Sequence, residues 1–149
     1  GRGGEEALAL QQAGISFEVV PGISSAIAIP GEAGIPVTHR GLSREVHIIT
    51  AHTKAEEQPD YRKYAALEGT LVFLMGLQRL EKIAADLQAG GMAGDTPAAV
   101  VSGGNAAHPA AVRAPLCRIA EAARRAEVEA PAIILVGNVA ALDVYAGPL

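Results

Sequence analysis

Three short loops carry the residues of this chain that could hold a small ligand. They occupy residues 21–25, 74–76 and 102–105, and each follows an apolar run typical of a buried strand. In open α/β sheets, ligands bind outside the carboxyl ends of strands. Glycine there lets a ligand approach the backbone, and hydroxyl or N–H groups orient it. The pattern predicts a small-molecule site, although a glycine after a strand is more often only a turn.

Neither a metal site nor a cysteine nucleophile is predicted. The four histidines, at positions 39, 47, 52 and 108, lack the spacing of metal ligands, so we predict no metal. The single cysteine, Cys117, lies among apolar residues and has no basic neighbour in sequence. We therefore expect an inert thiol in the core of a helix.

Composition and charge argue against nucleic-acid and membrane proteins. The 149 residues are 50% hydrophobic, and a formal net charge of −4 lacks the basic excess of a nucleic-acid binder. Three tyrosines, two phenylalanines and no tryptophan offer few platforms for base stacking. No apolar run approaches the roughly 20 residues that span a bilayer, and we expect no secretory signal. We expect a cytoplasmic α/β domain.

Hydrophobic periodicity predicts helices that alternate with strands, which indicates an α/β layer architecture. Helices are predicted over residues 5–13, 24–33, 61–67, 77–89 and 115–126. Strands are predicted over residues 15–20, 46–50, 70–75, 97–101, 110–114 and 132–136. The glycine-rich turn at residues 1–6 leads into a helix, and such turns normally follow a strand, which is absent here. We therefore expect the chain to be the back part of a larger enzyme.

Four segments, in this order, are similar to a known family. They read Gly-Arg-Gly-Gly-Glu-Glu at 1–6, Val-Val-Pro-Gly-Ile-Ser-Ser at 19–25, Gly-Ile-Pro-Val-Thr-His-Arg-Gly at 34–41 and Thr-Leu-Val-Phe-Leu-Met-Gly at 70–76. The chain resembles the S-adenosylmethionine-dependent tetrapyrrole methylase family. The resemblance runs over essentially the whole chain, to about Leu142. The Thr-His-Arg segment and the opening six residues resemble most closely the members that methylate uroporphyrinogen III.

The resemblance implies a two-domain homodimeric enzyme. Residues 1–40 would end the N-terminal methylase domain as a helix, a strand, a helix and a linker. Residues 41–149 would form the C-terminal α/β domain, with about five strands and flanking helices. The implied activity is C-methylation of uroporphyrinogen III at C2 and C7, giving precorrin-2 for sirohaem and cobalamin synthesis, with S-adenosylhomocysteine as the second product. The acid–base groups are expected in the missing N-terminal part, so we expect no catalytic residue in this chain.

The donor-binding residues are carried over position by position. Ser24 and Ser25 match a donor-binding pair that is often Thr-Ala in the family, so Ser25 departs from the pattern. Met75 matches a donor-contacting methionine, and Gly104 matches a donor-contacting glycine. The residue after that glycine is often Thr in the family and is Asn105 here. The alternative role for Met75 is to fill the core, and the alternative role for the two serines is to cap a helix.

A porphyrinogen with eight carboxylates needs cationic partners, which guanidinium groups supply best. His39, Arg40 and Arg44 form the cationic cluster that we expect to bind this substrate. The alternative is a solvated loop.

Two other functions remain open at this point. Within the same class, the chain could belong to another tetrapyrrole methylase of cobalamin synthesis or to diphthine synthase, although Thr38-His39-Arg40 argues against both. In a different class, it could be a non-catalytic dimerisation or binding module with an exposed apolar face.

Overall fold

The structure is a computed structural model that describes residues 3–52, 59–103 and 110–146. Its helices are α1 (Gly3–Gln12), α2 (Ser25–Glu32), α3 (Leu80–Ala89) and α4 (Ile119–Arg125). Its strands are β1 (Val46–Thr50), β2 (Thr70–Leu74), β3 (Pro97–Ser102), β4 (Ala110–Pro115) and β5 (Ala132–Val136). Short 3₁₀ helices cover Arg62–Tyr64, Leu77–Arg79, Leu116–Arg118 and Asn138–Ala141.

The strands form one mixed sheet in the order β1-β2-β5-β3-β4. Strands β1 and β2 are parallel, and the other three neighbouring pairs are antiparallel. The carboxyl ends of β1, β2 and β3 therefore meet at one edge of the sheet, which we call the carboxyl edge. The opposite edge, where these three strands begin, is the amino edge.

Helices cover both faces of the sheet because side chains alternate between the faces along each strand. On one face, α3 and α4 pack on a core that includes Leu71, Phe73 and Ile134. On the other face, α2 packs on a core that includes Val72 and Leu135. All five residues of the central strand β5 are buried, as expected for a strand covered on both faces. The predicted α/β architecture, with about five strands and flanking helices, is confirmed.

The predicted strand over residues 15–20 is wrong. Residues 15–24 form no regular element, and Val19 and Val20 are 73% and 82% exposed. Helix α1, which precedes this segment, has no buried residue. A strand needs a neighbour to satisfy its N–H and C=O groups, and no described strand lies beside this segment.

Two smaller expectations also proved wrong. The helix predicted over residues 61–67 is only the 3₁₀ turn Arg62–Tyr64. Cys117 is exposed and does not lie in the core, because its neighbours Leu116 and Ile119 take the inward positions. The division of the chain at residue 40 stays a prediction. Among the described residues, no helix is long and apolar enough to cross a bilayer.

Candidate functional site

A cleft of about 700 Å³ opens at the carboxyl edge of the sheet. Its walls come from the start of α2, the ends of β1 and β2, the turn after β2 and the segment that enters β5. The lining residues are Ser25, His52, Leu74, Met75, Leu77, Gln78, Ala130, Pro131, Ala132 and Ile133. This volume falls within the range of small-molecule sites, at the edge that the sequence pattern predicted.

Met75 projects from the end of β2 in an unusual backbone conformation. Its φ is +53°, which non-glycine residues rarely adopt, and its side chain is 64% exposed on the cleft wall. Such strain costs of order 1–3 kcal/mol and concentrates at ligand sites. The exposure shows that Met75 does not serve mainly as core packing.

Gly76 lets the chain turn tightly after Met75. A Cβ at this position would lie 2.9 Å from Ile134 Cδ1, 3.0 Å from Ile83 Cδ1 and 3.2 Å from Ala51 Cβ. Only a residue without a side chain fits there without displacing core methyl groups. The turn then continues into the 3₁₀ helix that contributes Leu77 and Gln78 to the cleft.

The two serines have different positions at the start of α2. Ser24 has extended backbone angles and caps the helix, because its hydroxyl accepts a hydrogen bond from the Ala26 N–H at 3.3 Å. Ser25 lies one residue further along and lines the cleft. The first N–H groups of α2 thus lie beside the cleft with their partial positive charge.

A buried tyrosine fixes the end of β1 beside the cleft. The Tyr61 hydroxyl donates a hydrogen bond of 3.0 Å to the Ala51 carbonyl, and the Ala51 N–H donates to the Leu74 carbonyl at 2.9 Å. Burial raises the pKa of the Tyr61 hydroxyl, which keeps it a hydrogen-bond donor. His52 follows Ala51 directly and lines the cleft.

Our sequence analysis missed His52, Gln78 and the Tyr61 anchor. His52 and Gln78 each come shortly after the end of a strand on the carboxyl edge, and this signal could have identified them. Tyr61 could not be found in this way, because its partner lies ten residues away in the sequence.

The cleft is lined mainly by apolar side chains and carries no carboxylate, lysine or arginine among its described lining residues. Ser25, His52 and Gln78 supply its polar side chains. Such a site can hold and orient a largely apolar ligand. Binding there would not require the removal of water from a charged carboxylate, lysine or arginine of the cleft, which would be costly. Among the described residues, no group of three or more His, Cys, Asp or Glu residues is placed to hold a metal ion.

The predicted cationic cluster lies at the opposite edge of the sheet. The His39 N–H donates to the Ser43 carbonyl at 2.9 Å, and the buried Ser43 hydroxyl bonds to that of Thr70 at 2.8 Å. Thr70 begins β2, so this turn lies at the amino edge. Arg40 is exposed, and Arg44 lines a second cleft of about 560 Å³ with Glu45 and Glu68.

The described chain therefore brings Ser25 and Met75 together but does not bring the cationic cluster to them. Strand β1 alone separates the two edges by roughly 13 Å at ~3.3 Å per residue. Gly104 lies outside the described residues. Its neighbour Gly103 lines a cavity of about 400 Å³ that shares Ala130 and Pro131 with the main cleft.

Comparison with known proteins identifies a family and close relatives. The profile of the Tetrapyrrole (Corrin/Porphyrin) Methylases matches residues 1–120. The S-adenosyl-L-methionine-dependent uroporphyrinogen III methyltransferase of Methanosarcina barkeri is 48% identical over 142 residues, which cover 93% of this chain and 56% of that protein. The siroheme synthase of Citrobacter koseri is 43% identical, over 95% of this chain and 31% of that protein.

A solved structure has the same fold. The uroporphyrin-III C-methyl transferase of Thermus thermophilus, crystallised with S-adenyl homocysteine, superposes with a TM-score of 0.78 and 36% identity. The match covers 93% of this chain and 60% of that one. The chain thus spans only about a third to three fifths of the length of these relatives.

Proposed function

Because the chain belongs to the tetrapyrrole methylase family, we propose that it forms part of an S-adenosylmethionine-dependent uroporphyrinogen III C-methyltransferase. The observation that carries this function is the convergence of Ser25 and Met75 on one cleft from distant segments of the chain. The family resemblance matches both residues to donor-binding positions. The product would be precorrin-2, after methylation at C2 and C7.

The cleft fits the methyl donor chemically. S-adenosylmethionine supplies an electrophilic methyl group on a positively charged sulfonium, and that charge disperses as the methyl group leaves. A weakly polar wall such as Met75, Leu74 and Ile133 excludes water and disfavours the dispersed charge less than the localised one. Ser25 and the nearby N–H groups of α2 can orient polar parts of the donor.

Positioning is the main contribution that these residues make to catalysis. Transfer of a methyl group needs in-line approach rather than a protein nucleophile, and correct placement can contribute up to roughly 7–11 kcal/mol in ideal systems. The tight turn at Gly76 and the hydrogen bond from Tyr61 to Ala51 hold two cleft walls rigidly. Ser24, Ser25, Met75 and Gly104 are the proposed donor residues.

The acidic substrate is proposed to bind His39, Arg40 and Arg44. In one copy of the described chain, these residues lie across the sheet from the donor cleft. Their use therefore requires a second copy, or a segment outside the described residues, to complete the substrate site. We propose a cytoplasmic homodimer, consistent with the composition and with the isologous pairing common among enzymes.

A methyl-transfer assay on the full-length gene product tests this function. We expect uroporphyrinogen III incubated with S-adenosylmethionine to gain two methyl groups by mass spectrometry. Met75→Ala should raise the KM for the donor about tenfold, which corresponds to ~1.4 kcal/mol of lost binding. Leu67→Ala, at an exposed position outside the cleft, is the matched control and should leave that KM unchanged.

Two results would contradict the proposed function in different ways. Binding of S-adenosylhomocysteine without transfer to uroporphyrinogen III would refute the substrate and favour another methylase of the family. Absence of any S-adenosylhomocysteine binding by the full-length gene product would refute the donor site itself.

A further inference from the structure

Arg113 joins three separate segments of the chain on the α2 face of the sheet. It lies on the edge strand β4, opposite Ala99 of β3. Its Nη2 donates to the carbonyl oxygens of Ala33 at 3.1 Å and Leu142 at 3.3 Å, and it lies 3.4 Å from Asp143 Oδ2. Ala33 is the C-cap of α2, so one guanidinium holds the end of α2 and the segment after β5 together.

The segment over residues 142–145 contacts the end of α2 at further points. The Val144 N–H donates to the Gly34 carbonyl at 2.9 Å, and the Tyr145 hydroxyl donates to the Gly31 carbonyl at 3.1 Å. A Cβ on Gly34 would lie 2.6 Å from Asp143 Oδ1, so the two segments fit closely. We call Arg113, Asp143 and Tyr145 the α2 clamp.

Helix α2 is short, and most of its residues lie outside the core. It has only eight residues, of which Ala26, Ile29 and Pro30 are buried. Pro30 and Gly31 are both poor helix formers, and a helix this short is marginal without tertiary contacts. The clamp therefore adds polar contacts to the apolar packing that holds α2 on the sheet.

One donor of the Arg113 guanidinium makes no hydrogen bond to the described residues. Its Nε is buried and has no hydrogen-bond partner among the described residues. An unsatisfied buried donor destabilises the folded state. This cost offsets part of the stability that the hydrogen bonds of Nη2 supply.

We propose that the α2 clamp fixes helix α2 along its axis and thereby places Ser25 at the donor cleft, with Arg113 as the positioning residue. Helix α2 is about 12 Å long at ~1.5 Å per residue, and a helix transmits an axial shift from one end to the other. The consequence for donor affinity rests on the proposed function, whereas the effect on α2 does not.

Hydrogen exchange and donor titration on the full-length gene product test the clamp. Arg113→Met keeps an unbranched side chain similar to the aliphatic part of arginine and removes the guanidinium with its hydrogen bonds. We expect the amides of α2 to exchange at least tenfold faster, while those of β3 and β5 are unchanged. The affinity for S-adenosylhomocysteine should fall about tenfold. The Tm should change little, because the variant also removes the unsatisfied Nε.

Three further variants complete the design. Arg113→Lys keeps a cation that can reach part of the same acceptors and should restore both properties in part. Tyr145→Phe removes a single hydrogen bond and should accelerate α2 exchange even if Arg113→Met does not fold. Arg118→Met changes an arginine whose side chain is exposed on the 3₁₀ helix before α4 and is the matched control.

Unchanged exchange of α2 in Arg113→Met or Tyr145→Phe would overturn the clamp. Faster exchange with unchanged S-adenosylhomocysteine affinity would overturn the positioning of Ser25. If the unsubstituted protein bound no S-adenosylhomocysteine, the proposed function would fail, and the exchange rates would still decide whether the clamp holds α2.

Discussion

Met75 combines backbone strain with a position on the wall of the candidate site. Its positive φ should be relieved by glycine, so we expect Met75→Gly to raise the free energy of unfolding by about 1 kcal/mol. Because the variant also removes a side chain from the cleft, S-adenosylhomocysteine affinity should fall. Urea unfolding and calorimetric titration of the full-length gene product measure the two effects.

Glu127 provides the control for Met75. It also has a positive φ, of +51°, but it does not line the main cleft. Glu127→Gly should therefore raise stability by a similar amount and leave donor affinity unchanged. A loss of donor affinity in both variants would show that relief of backbone strain, not loss of the Met75 side chain, is responsible.

Arg40 tests the substrate assignment at the level of a single charge. It is exposed at the amino edge, so its replacement should disturb the fold little. If its guanidinium binds a substrate carboxylate, Arg40→Ala in the full-length gene product should raise the KM for uroporphyrinogen III about tenfold, as expected for loss of ~1.4 kcal/mol. The affinity for the donor should not change. Steady-state kinetics decide the matter, and an unaltered KM removes Arg40 from the substrate site.

At the scale of elements, one carboxylate ties α3 to the loop that follows β1. Asp86 Oδ2 accepts hydrogen bonds from Lys82 Nζ at 2.8 Å and from the Tyr61 N–H at 3.1 Å. Burial raises the pKa of the Asp86 carboxyl, but these two hydrogen bonds outweigh it and hold the pKa below its ordinary value. The ionised form therefore stabilises the attachment of α3.

The pH dependence of stability should report this attachment. The pKa of Asp86 is lower in the folded state than in the unfolded state, where it is about 3.9. The stability that the charged carboxylate contributes is therefore fully present above about pH 3.9, and it is lost as the pH falls through the pKa of the folded state. We expect Asp86→Asn to lower the free energy of unfolding by about 0.5–1 kcal/mol at pH 7. The difference should shrink below about pH 4, as measured by urea unfolding across pH. A difference that is constant down to pH 2 would contradict the role of the charge.

Local sequence signals predicted the elements that pair locally or lie in the core. The bounds of β1 and β5 were predicted to the residue, because short apolar runs between turn signals mark them. The strand over residues 15–20 carried a similar signal but has no described neighbour, and pairing is not a local property. The assignment of Ser25 and Met75 to the methyl donor came from the family resemblance. The rule that ligands bind at strand ends applies to Met75, which follows β2, but not to Ser25, because residues 15–20 form no strand. The α2 clamp could not be predicted, because Arg113 and Ala33 meet only in the folded chain.

At the scale of the whole molecule, the exposed N-terminal part bears on activity. Segment 15–24 presents Val19, Val20 and Ile23 to solvent, and α1 is not buried against the sheet. None of the described residues 3–24 lines the main cleft, whose walls come from the start of α2, the carboxyl edge of the sheet and the turns beside it. We expect the isolated 149-residue chain to bind S-adenosylhomocysteine weakly or undetectably by calorimetric titration. Tight binding would contradict this expectation.

The position of β5 in the sheet constrains how the protein can fold during its synthesis. This strand is the last of the five along the described chain, yet it lies between β2 and β3. Before residues 132–136 emerge from the ribosome, the β1–β2 pair and the β3–β4 hairpin can form, but the strand that joins them by hydrogen bonds is absent. Folding must then bring together residues far apart in sequence, which is slow. A nascent chain stalled before Ala132 would hold two unpaired apolar edges, a form suited to recognition by chaperones.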